Sequence, residues 1–281
     1  MSMVSEADAA AQLAGLPNTE MAAEPCRWLI SLDFDGTLWN EQDTPPLSPE
    51  FFELMQAWRA QGVRWGINTG RTLSYFLSDY LQHAPCMPDF ICTCERFVYV
   101  ADAQGRLQPL VGHNAAARDA AEDLRRWMTP LLHAELERIR KEYPHWQWVL
   151  AADDPLSVEA ADGETMDMLA EQLEALMEAH PMVSMQRAGR YMRLADARFN
   201  KGSALAHVLQ EWEVLPQYLL MAGDGHNDVD AFRRFPTAFC AAPAGAHAEV
   251  CAWLRRHGGH ISPQTGVLEL LQTWHQQVVQ A

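Results

Sequence analysis

Two aspartates stand one residue apart where an apolar run ends, in LISLDFDGTLWN at residues 29–40. Alternate side chains along a strand point to the same face, so Asp33 and Asp35 begin on one face, and Gly36 can bend the chain out of the strand just beyond them. At about 4 Å and an effective dielectric constant near 20, two carboxylates repel each other by roughly 4 kcal/mol. Such a pair must share a proton, stay solvated or hold a cation.

Further polar side chains follow other apolar runs. Thr69 ends VRWGINT, Lys201 opens the helical pattern KGSALAHVLQEW, and GDGHND after QYLLMA contributes Asp224 and Asp228. Each alone has a plain explanation as a turn, a helix cap or a surface lysine. Together, four carboxylates and one ammonium favour a hard divalent cation, and Mg²⁺ is typically held by one or two carboxylates plus substrate phosphate. Imidazole ligands would favour zinc instead, and we do not expect His226 to be a ligand.

The elements around these residues predict how they are positioned. CRWLISLDF is typical of a buried strand, and SPEFFELMQAWRAQG is typical of a helix with Ser48 at its N-cap, Pro49 in its first turn and Gly62 past its end. A second strand, VRWGIN, completes a β–α–β unit over residues 27–70. Crossover connections of this kind join parallel strands, and ligands bind beyond the carboxyl ends of such strands.

The middle of the chain has a different pattern. It predicts a hairpin around Gly105 and then an antiparallel α+β insert, because short strands follow one another between helices. The predicted elements of this insert are a helix at 114–142 with a kink or break at Pro130, strands at 146–151 and 156–160, a helix at 164–179, and strands at 182–187 and 190–195.

We therefore predict an α/β fold with a Rossmann-like parallel-sheet core, helices on both faces and an inserted smaller α+β cap domain. The strand–helix alternation that resumes after the insert supports this division. The predicted segments are an N-terminal tail at 1–24, a catalytic core at 25–111 and 196–281, and a cap at 112–195.

Composition limits the class of protein. The 281 residues include 21 basic and 37 acidic side chains, and the net charge of −16 argues against a general nucleic-acid-binding protein. The six cysteines show no disulfide-framework spacing, and we expect Cys92 and Cys94 to be buried small side chains rather than a metal site. No export signal and no apolar run of membrane-spanning length is present, so we expect a cytoplasmic protein with no membrane partner. Nothing in the sequence implies a protein partner.

The motifs DFDGT, NTGR, NKG and GDGHND resemble, in this order, the four motifs of the haloacid dehalogenase superfamily of phosphohydrolases. The long insertion between the second and third motifs, residues 72–200, resembles the cap of the Cof-type and sucrose-phosphatase-like branch. The end of the chain, HGGHISPQTGVLELL, is similar to the way in which that branch ends.

The resemblance implies roles for the motif residues. Asp33 would be the nucleophile that forms an aspartyl phosphate, and Asp35 would be the general acid and base. Thr69 would hydrogen-bond the phosphoryl oxygens, and Lys201 would balance charge between the phosphate and Asp33. The implied ligands of Mg²⁺ are Asp33, the backbone carbonyl of Asp35, Asp224 and Asp228.

Substrate binding is less well determined by the sequence. Gly70 and Arg71 follow Thr69, and Arg71 could help to balance the phosphate charge. In QRAGRYMRLAD at 186–196, Arg190 should point opposite to Tyr191 and Arg193 if this segment is a strand. Either Arg190, or Tyr191 and Arg193, contacts the substrate, or this segment, which also carries Arg187, is a solvated face. Trp39 likewise either lines the entrance or packs in the core.

The sequence departs from the branch in two places. Cys94, Glu95 and Arg96 stand where an Asn-Gly-Ala element is common, and Pro243 stands where Asn-Ala is common. Both elements lie near the substrate mouth in relatives.

We therefore expect a Mg²⁺-dependent phosphatase that acts on a small phosphorylated metabolite, a sugar phosphate, through an aspartyl phosphate. A sugar phosphomutase is the alternative of another class, and it would transfer the phosphoryl group to a second hydroxyl. A third hypothesis is a non-catalytic metabolite sensor built on the same fold. This hypothesis predicts damaged motifs, and the intact motif residues argue against it.

Overall fold

The computed structural model describes residues 25–151 and 154–280, together with Leu13 and Leu16. The predicted N-terminal tail, 1–24, therefore lies outside the described residues except for those two leucines. The first part of the core comprises β1 (Trp28–Leu32), α1 (Pro49–Arg59), β2 (Val63–Asn68), α2 (Leu73–His83), β3 (Phe90–Thr93), β4 (Phe97–Ala101) and β5 (Leu107–Pro109).

The insert follows directly. Its elements are α3 (Val111–Glu142), β6 (Trp148–Ala151), β7 (Asp154–Ala160), α4 (Gly163–Ala179), β8 (Val183–Ala188) and β9 (Tyr191–Asp196). The core then resumes with α5 (Lys201–Glu211), a 3₁₀ turn (Pro216–Tyr218), β10 (Leu219–Ala222), α6 (His226–Arg234), β11 (Phe239–Ala242), α7 (Ala248–His257), β12 (His260–Ile261), α8 (Leu268–Trp274) and a π-helical turn (His275–Val279).

The core sheet confirms the predicted parallel architecture. Its strand order is β12-β11-β10-β1-β2-β3-β4-β5, and the pairs from β12 to β3 are parallel, whereas β4 and β5 run antiparallel at one edge. The chain leaves β1 toward β2 in one direction and later returns to place β10 on its other side. The carboxyl ends of β1, β2 and β10 thus flank the point where the strand order reverses, which is where open α/β sheets bind ligands.

Helices cover both faces of this sheet. Ile30 and Leu32 of β1 belong to one buried cluster, and Leu29 belongs to the other, as the alternation of side chains along a strand requires. The first cluster includes residues of α1, α2 and α8, namely Phe51, Phe76 and Leu270. The second includes residues of α5, α6 and α7, namely Leu205, Phe232 and Leu254.

The insert forms a separate antiparallel sheet with strand order β6-β7-β9-β8. Residues of α3, α4 and the strands make a hydrophobic cluster of their own, which includes Met128, Leu169, Val158 and Met192. The order of helices and strands in the insert is the predicted one. The domain boundaries at 111/112 and 195/196 stay a prediction.

Two local predictions were confirmed only in part. Pro130 lies inside α3, so the predicted break was wrong, whereas the alternative of a kink stays a prediction. Ser48 is at the N-cap of α1, but its hydroxyl donates to Glu50 Oε2 at 2.5 Å and caps no backbone N–H. Two elements, α2 and β3, were not predicted from the sequence. Within the part of the chain that the structure describes, none of the helices has the length and apolar character needed to cross a bilayer.

Candidate active site

Three of the predicted site residues lie directly beyond parallel strands. The Asp33 N–H donates to the carbonyl of Ala222 at 2.8 Å, and the Thr69 N–H donates to the carbonyl of Cys92 at 2.9 Å. The strand ladder therefore continues one residue past β1 and past β2. Asp224 follows β10 by two residues, so the three side chains meet at one edge of the sheet.

The carboxylates of Asp33, Asp224 and Asp228 form a compact group. One oxygen of each lies within 4.8 Å of the others. Glycine is needed beside this group, because a Cβ at Gly36 would overlap the carboxylate of Asp224 and a Cβ at Gly223 would overlap that of Asp228. Gly36 also has a φ of +71°, which L-residues with a side chain rarely adopt. The two glycines thus allow the carboxylates to approach each other.

Lys201 supplies a buried positive charge to this group. Its Nζ lies 2.8 Å from Asp33 Oδ1 and 2.7 Å from Asp228 Oδ1, and the side chain is only 1% exposed. Lys201 is the first residue of α5, whose N-terminus is fixed by a reciprocal capping box between Asn200 and Ser203. The cap therefore determines where the ammonium enters the site.

Burial shifts the pKa values of the carboxylates. It raises the pKa of Asp33 to about 7 against the opposing effect of Lys201, and raises those of Asp224 and Asp228 to about 6. Burial alone would lower the pKa of Lys201, but Asp228, Asp33 and Glu95 together raise it. Two buried carboxylates paired with one ammonium, together with the half-buried Asp224, leave an excess of negative charge, which a cation would relieve.

The donor set fits Mg²⁺. All three groups offer carboxylate oxygens, which a hard cation prefers. Lys201 and the Phe34 N–H both reach Asp33 Oδ1, and Thr37 donates to Asp224 Oδ1 at 2.9 Å. Asp33 Oδ2 and Asp224 Oδ2 are thus the oxygens turned away from these donors. Asp228 is engaged at both oxygens, by Lys201 and by the Gly225 N–H, so it positions the lysine and the loop.

Asp35 and Arg71 form a pair beside the carboxylate group. The Arg71 guanidinium donates to both Asp35 oxygens, from Nε at 2.8 Å and Nη2 at 2.5 Å, and its Nη1 donates to Asp79 of α2. The Asp35 side chain is 52% exposed. Thr69 Oγ1 accepts from the Arg71 N–H at 3.1 Å, which links this pair to the end of β2. Arg71 therefore holds Asp35 at the edge of the site.

The arginines of the insert differ in what they contact. Arg190 lies in the turn before β9, 52% exposed, and pairs with Glu159. Arg187 pairs with Asp167. Arg193 donates from Nη2 to the Cys94 carbonyl of the core at 2.8 Å.

Trp39 packs in the core rather than at the entrance. Its side chain is buried, and its ring stacks on Phe34 with centroids 5.3 Å apart. His226 lies next to the site, with its ring 3.6 Å from that of His247 and its Nε2 3.5 Å from Glu249 Oε2. The ligand atoms of these three side chains are within 4.8 Å of one another, so the prediction that His226 is not a ligand stays untested.

Two buried residues near the site, Glu95 and Asn227, had no predicted role in binding or catalysis. Glu95 is 4% exposed and accepts from Asn227 Nδ2 at 2.8 Å, so it joins the turn after β3 to the GDGHND loop. Gly70 leaves room for this carboxylate, because a Cβ there would lie 3.3 Å from Glu95 Oε1. The signal available in the sequence was the departure from Asn-Gly-Ala at this turn.

The family model of haloacid dehalogenase-like hydrolases matches residues 89–252, which is more than half of the chain. The protein therefore belongs to the haloacid dehalogenase-like hydrolase family and is an enzyme of that family. Among curated proteins, no significant sequence match was found.

Solved structures share the fold over almost the whole chain. The sucrose-phosphatase of Synechocystis sp. PCC6803, solved in complex with sucrose and phosphate, is 18% identical, with a TM-score of 0.65 over 90% of this chain and 98% of that one. The haloacid dehalogenase-like hydrolase YhjK of Bacillus subtilis is 14% identical, with a TM-score of 0.60 over 96% and 99%. The subclass IIB sugar phosphatase BT4131 is 14% identical, with a TM-score of 0.57 over 89% and 98%.

Proposed function

We propose that this protein is a Mg²⁺-dependent phosphatase that hydrolyses a small sugar phosphate through an aspartyl phosphate on Asp33. The observation that carries the proposal is the buried carboxylate of Asp33, held by Lys201 beside Asp224 and Asp228 at the edge of the parallel sheet. The family match supports a hydrolase. The similarity to a sucrose-phosphatase and to a sugar phosphatase supports the substrate class.

Asp33 is suited to act as the nucleophile. Lys201 and the Phe34 N–H hold Oδ1, so Oδ2 is the oxygen that faces an incoming phosphoryl group. Attack by Oδ2 on phosphorus forms the aspartyl phosphate and expels the alcohol of the substrate, and water then attacks the same phosphorus. A carboxylate nucleophile in this way splits one difficult displacement into two easier ones.

Asp35 supplies the proton to the leaving oxygen and takes one from the attacking water. Its two oxygens accept from Arg71, so one of these hydrogen bonds must be released while Asp35 exchanges a proton. The half-exposed position of Asp35 permits this movement. Arg71 keeps its second partner, Asp79, during the exchange.

Fixed charge and hydrogen-bond donors stabilise the phosphoryl group. The ammonium of Lys201 is buried and is held by two carboxylates, so it is already in place when negative charge develops. The Thr69 hydroxyl stands at the end of β2, where it can donate to a phosphoryl oxygen. Bound Mg²⁺, held by Asp33 and Asp224, would neutralise phosphoryl charge and align it with the nucleophile.

The test is phosphate release from a panel of phosphorylated sugars and polyols, with and without excess chelator. We expect turnover that requires Mg²⁺ and an acid-stable, hydroxylamine-sensitive phosphoprotein when the reaction is quenched. Full activity in chelator, or no trapped phosphoprotein, would count against the mechanism. A product that retains phosphate at a second hydroxyl would instead identify a phosphomutase.

A further inference from the structure

The turn between β3 and β4 has an unusual backbone for its sequence. The Arg96 N–H donates to the Thr93 carbonyl at 3.0 Å, and the two residues between them, Cys94 and Glu95, have φ values of +50° and +62°. Turns with positive φ at both central positions strongly prefer Asn-Gly. The left-handed conformation costs a residue with a side chain roughly 1–2 kcal/mol. Strain of this kind persists where the surroundings hold it, and it is concentrated at functional sites.

Contacts from two sides hold this turn. The Cys94 N–H donates to the Arg71 carbonyl at 2.8 Å, and the Glu95 N–H donates to the Thr69 carbonyl at 3.0 Å. From the insert, Arg193 donates to the Cys94 carbonyl at 2.8 Å. The turn is therefore fastened to the loop that follows β2 and is covered by β9. The turn that carries Glu95 consequently lies between the loop at residues 69–71 and strand β9 of the insert.

The Glu95 side chain ends in an acceptor that has no donor. Its Oε1 accepts from Asn227, but its Oε2 is buried and has no hydrogen-bond partner within the described residues. Asn227 Oδ1 is likewise buried and has no hydrogen-bond partner within the described residues. Leaving a buried polar group unpaired costs about 1–3 kcal/mol, and more for a charged one. These two buried acceptors, on side chains that are hydrogen-bonded to each other, can therefore take donors that a ligand supplies.

The ligand that pairs with these two oxygens must carry hydrogen-bond donors of its own. An ionised carboxylate or a phosphate dianion carries none. Arg193 lies nearby and keeps its positive charge, but its guanidinium donates to the Cys94 carbonyl and to Gln186 Oε1 rather than to Glu95. Hydroxyl groups do carry such donors, and the Glu95 N–H donates to the carbonyl of Thr69, a residue of the proposed phosphoryl site. A hydroxylated group attached to the reacting phosphate can therefore reach it.

We propose that Glu95, with Asn227 Oδ1 beside it, is a specificity subsite that accepts hydrogen bonds from hydroxyls of an uncharged polyol or sugar leaving group. This inference rests on the proposed phosphatase function, and it adds that the non-phosphoryl part of the substrate is neutral and polyhydroxylated. The turn with positive φ at Cys94 and Glu95 places the Glu95 carboxylate beside the site, and the hydrogen bond from Arg193 to the Cys94 carbonyl stabilises this turn.

The test compares Glu95→Gln with the wild type on hexose and polyol monophosphates and on p-nitrophenyl phosphate, whose leaving group has no hydroxyl to donate to this subsite. Glutamine keeps the shape and can still accept from Asn227. We expect kcat/KM on the best hydroxylated substrate to fall about 10- to 100-fold, with p-nitrophenyl phosphate changed by less than about threefold. Glu137→Gln in α3 is the matched control, because Glu137 is 57% exposed, pairs with Arg140 and undergoes the same chemical change away from the subsite.

Monodeoxy analogues of the best substrate separate recognition from a structural effect. Removing the hydroxyl that Glu95 binds should lower kcat/KM in the wild type and have little further effect in Glu95→Gln, because the two changes remove the same hydrogen bond. Equal losses on both substrate types, no loss on either, or a wild type that prefers carboxylate-bearing phosphates would overturn the subsite. A wild type that releases no phosphate from any substrate, p-nitrophenyl phosphate included, would refute the phosphatase proposal itself.

Discussion

The core sheet and the sheet of the insert use their faces differently. Every residue of β1 is buried, because helices cover both faces of a parallel sheet. In β9 and β7 buried residues alternate with more exposed ones over much of each strand, because only one face packs against α3 and α4. A two-sided core can enclose charges at its strand ends, whereas a one-sided sheet presents charges to solvent or to the mouth of the site.

The charged side chains follow this difference. Lys201 is 1% exposed and lies among carboxylates that are at most 10% exposed, so burial moves their pKa values. Arg190 and Glu159 of the insert are 52% and 33% exposed, where solvent weakens the pair. Chemistry is therefore expected to depend on the core charges, and substrate choice on the few side chains of the insert that reach the core.

The largest expected effect is at the centre of the core. Asp33→Asn removes the proposed nucleophile, and we expect phosphate release to fall by at least about 10³-fold. The amide is isosteric, so the circular dichroism spectrum should be unchanged. Steady turnover by this variant with hydroxylated substrates would show that another group attacks phosphorus.

Gly223→Ala tests how closely the core packs its carboxylates. The added Cβ would overlap the Asp228 carboxylate and displace it from Lys201, and we expect kcat to fall about 10²-fold, as for a misplacement near 1 Å. Gly112→Ala in α3 is the control, because nothing lies within 4 Å of its added Cβ. Similar kinetics in the two variants would mean that the carboxylate group is not sterically constrained.

The arginines of the insert allow a sharper comparison. Arg193→Ala removes the hydrogen bond to the Cys94 carbonyl, so we expect KM for hydroxylated substrates to rise about tenfold. Arg190→Ala removes an exposed pair with Glu159, and we expect less than about a twofold change. If Arg190→Ala has the larger effect, the turn before β9 rather than its middle faces the substrate.

The smallest expected effect concerns stability in the absence of metal. Burial raises the pKa of Asp33 from 3.8 to about 7, so the folded state binds this proton more tightly than the unfolded state does. The contribution of this proton to the free energy of unfolding of the wild type therefore decreases as the pH rises from about 4 to about 7, and it is absent above pH 7. Asparagine cannot ionise, so in chelator Asp33→Asn should gain about 1–3 kcal/mol over the wild type at pH 8 and nothing at pH 4.

Denaturant unfolding of both proteins across this pH range measures the difference. Asp123→Asn serves as the control, because Asp123 is 70% exposed and the same chemical change is then made at the surface. A stability difference between Asp33→Asn and the wild type that stays flat from pH 4 to 8 would show that the carboxylate group is not desolvated.

Sequence alone determined most of the core and the order of its motifs. Strands such as β1 and β2 were predicted because a continuous apolar run signals burial on both faces, and α1 because Pro49 and Gly62 mark its ends. The meeting of Asp33 and Asp224 at one edge followed from parallel strand order. These predictions need only the local pattern of apolar and helix-ending residues and the parallel strand pairing that a β–α–β connection requires.

The tertiary structure decided the partners of individual side chains. Arg71 pairs with Asp35 at a separation of 36 residues, Arg193 reaches Cys94 across 99, and Asn227 reaches Glu95 across 132. No periodicity encodes such contacts, because they depend on how loops from different strands and the insert pack together. For the same reason the sequence left two positions open for Trp39, at the entrance of the site or in the core. Its packing against Phe34 shows that the ring lies in the core.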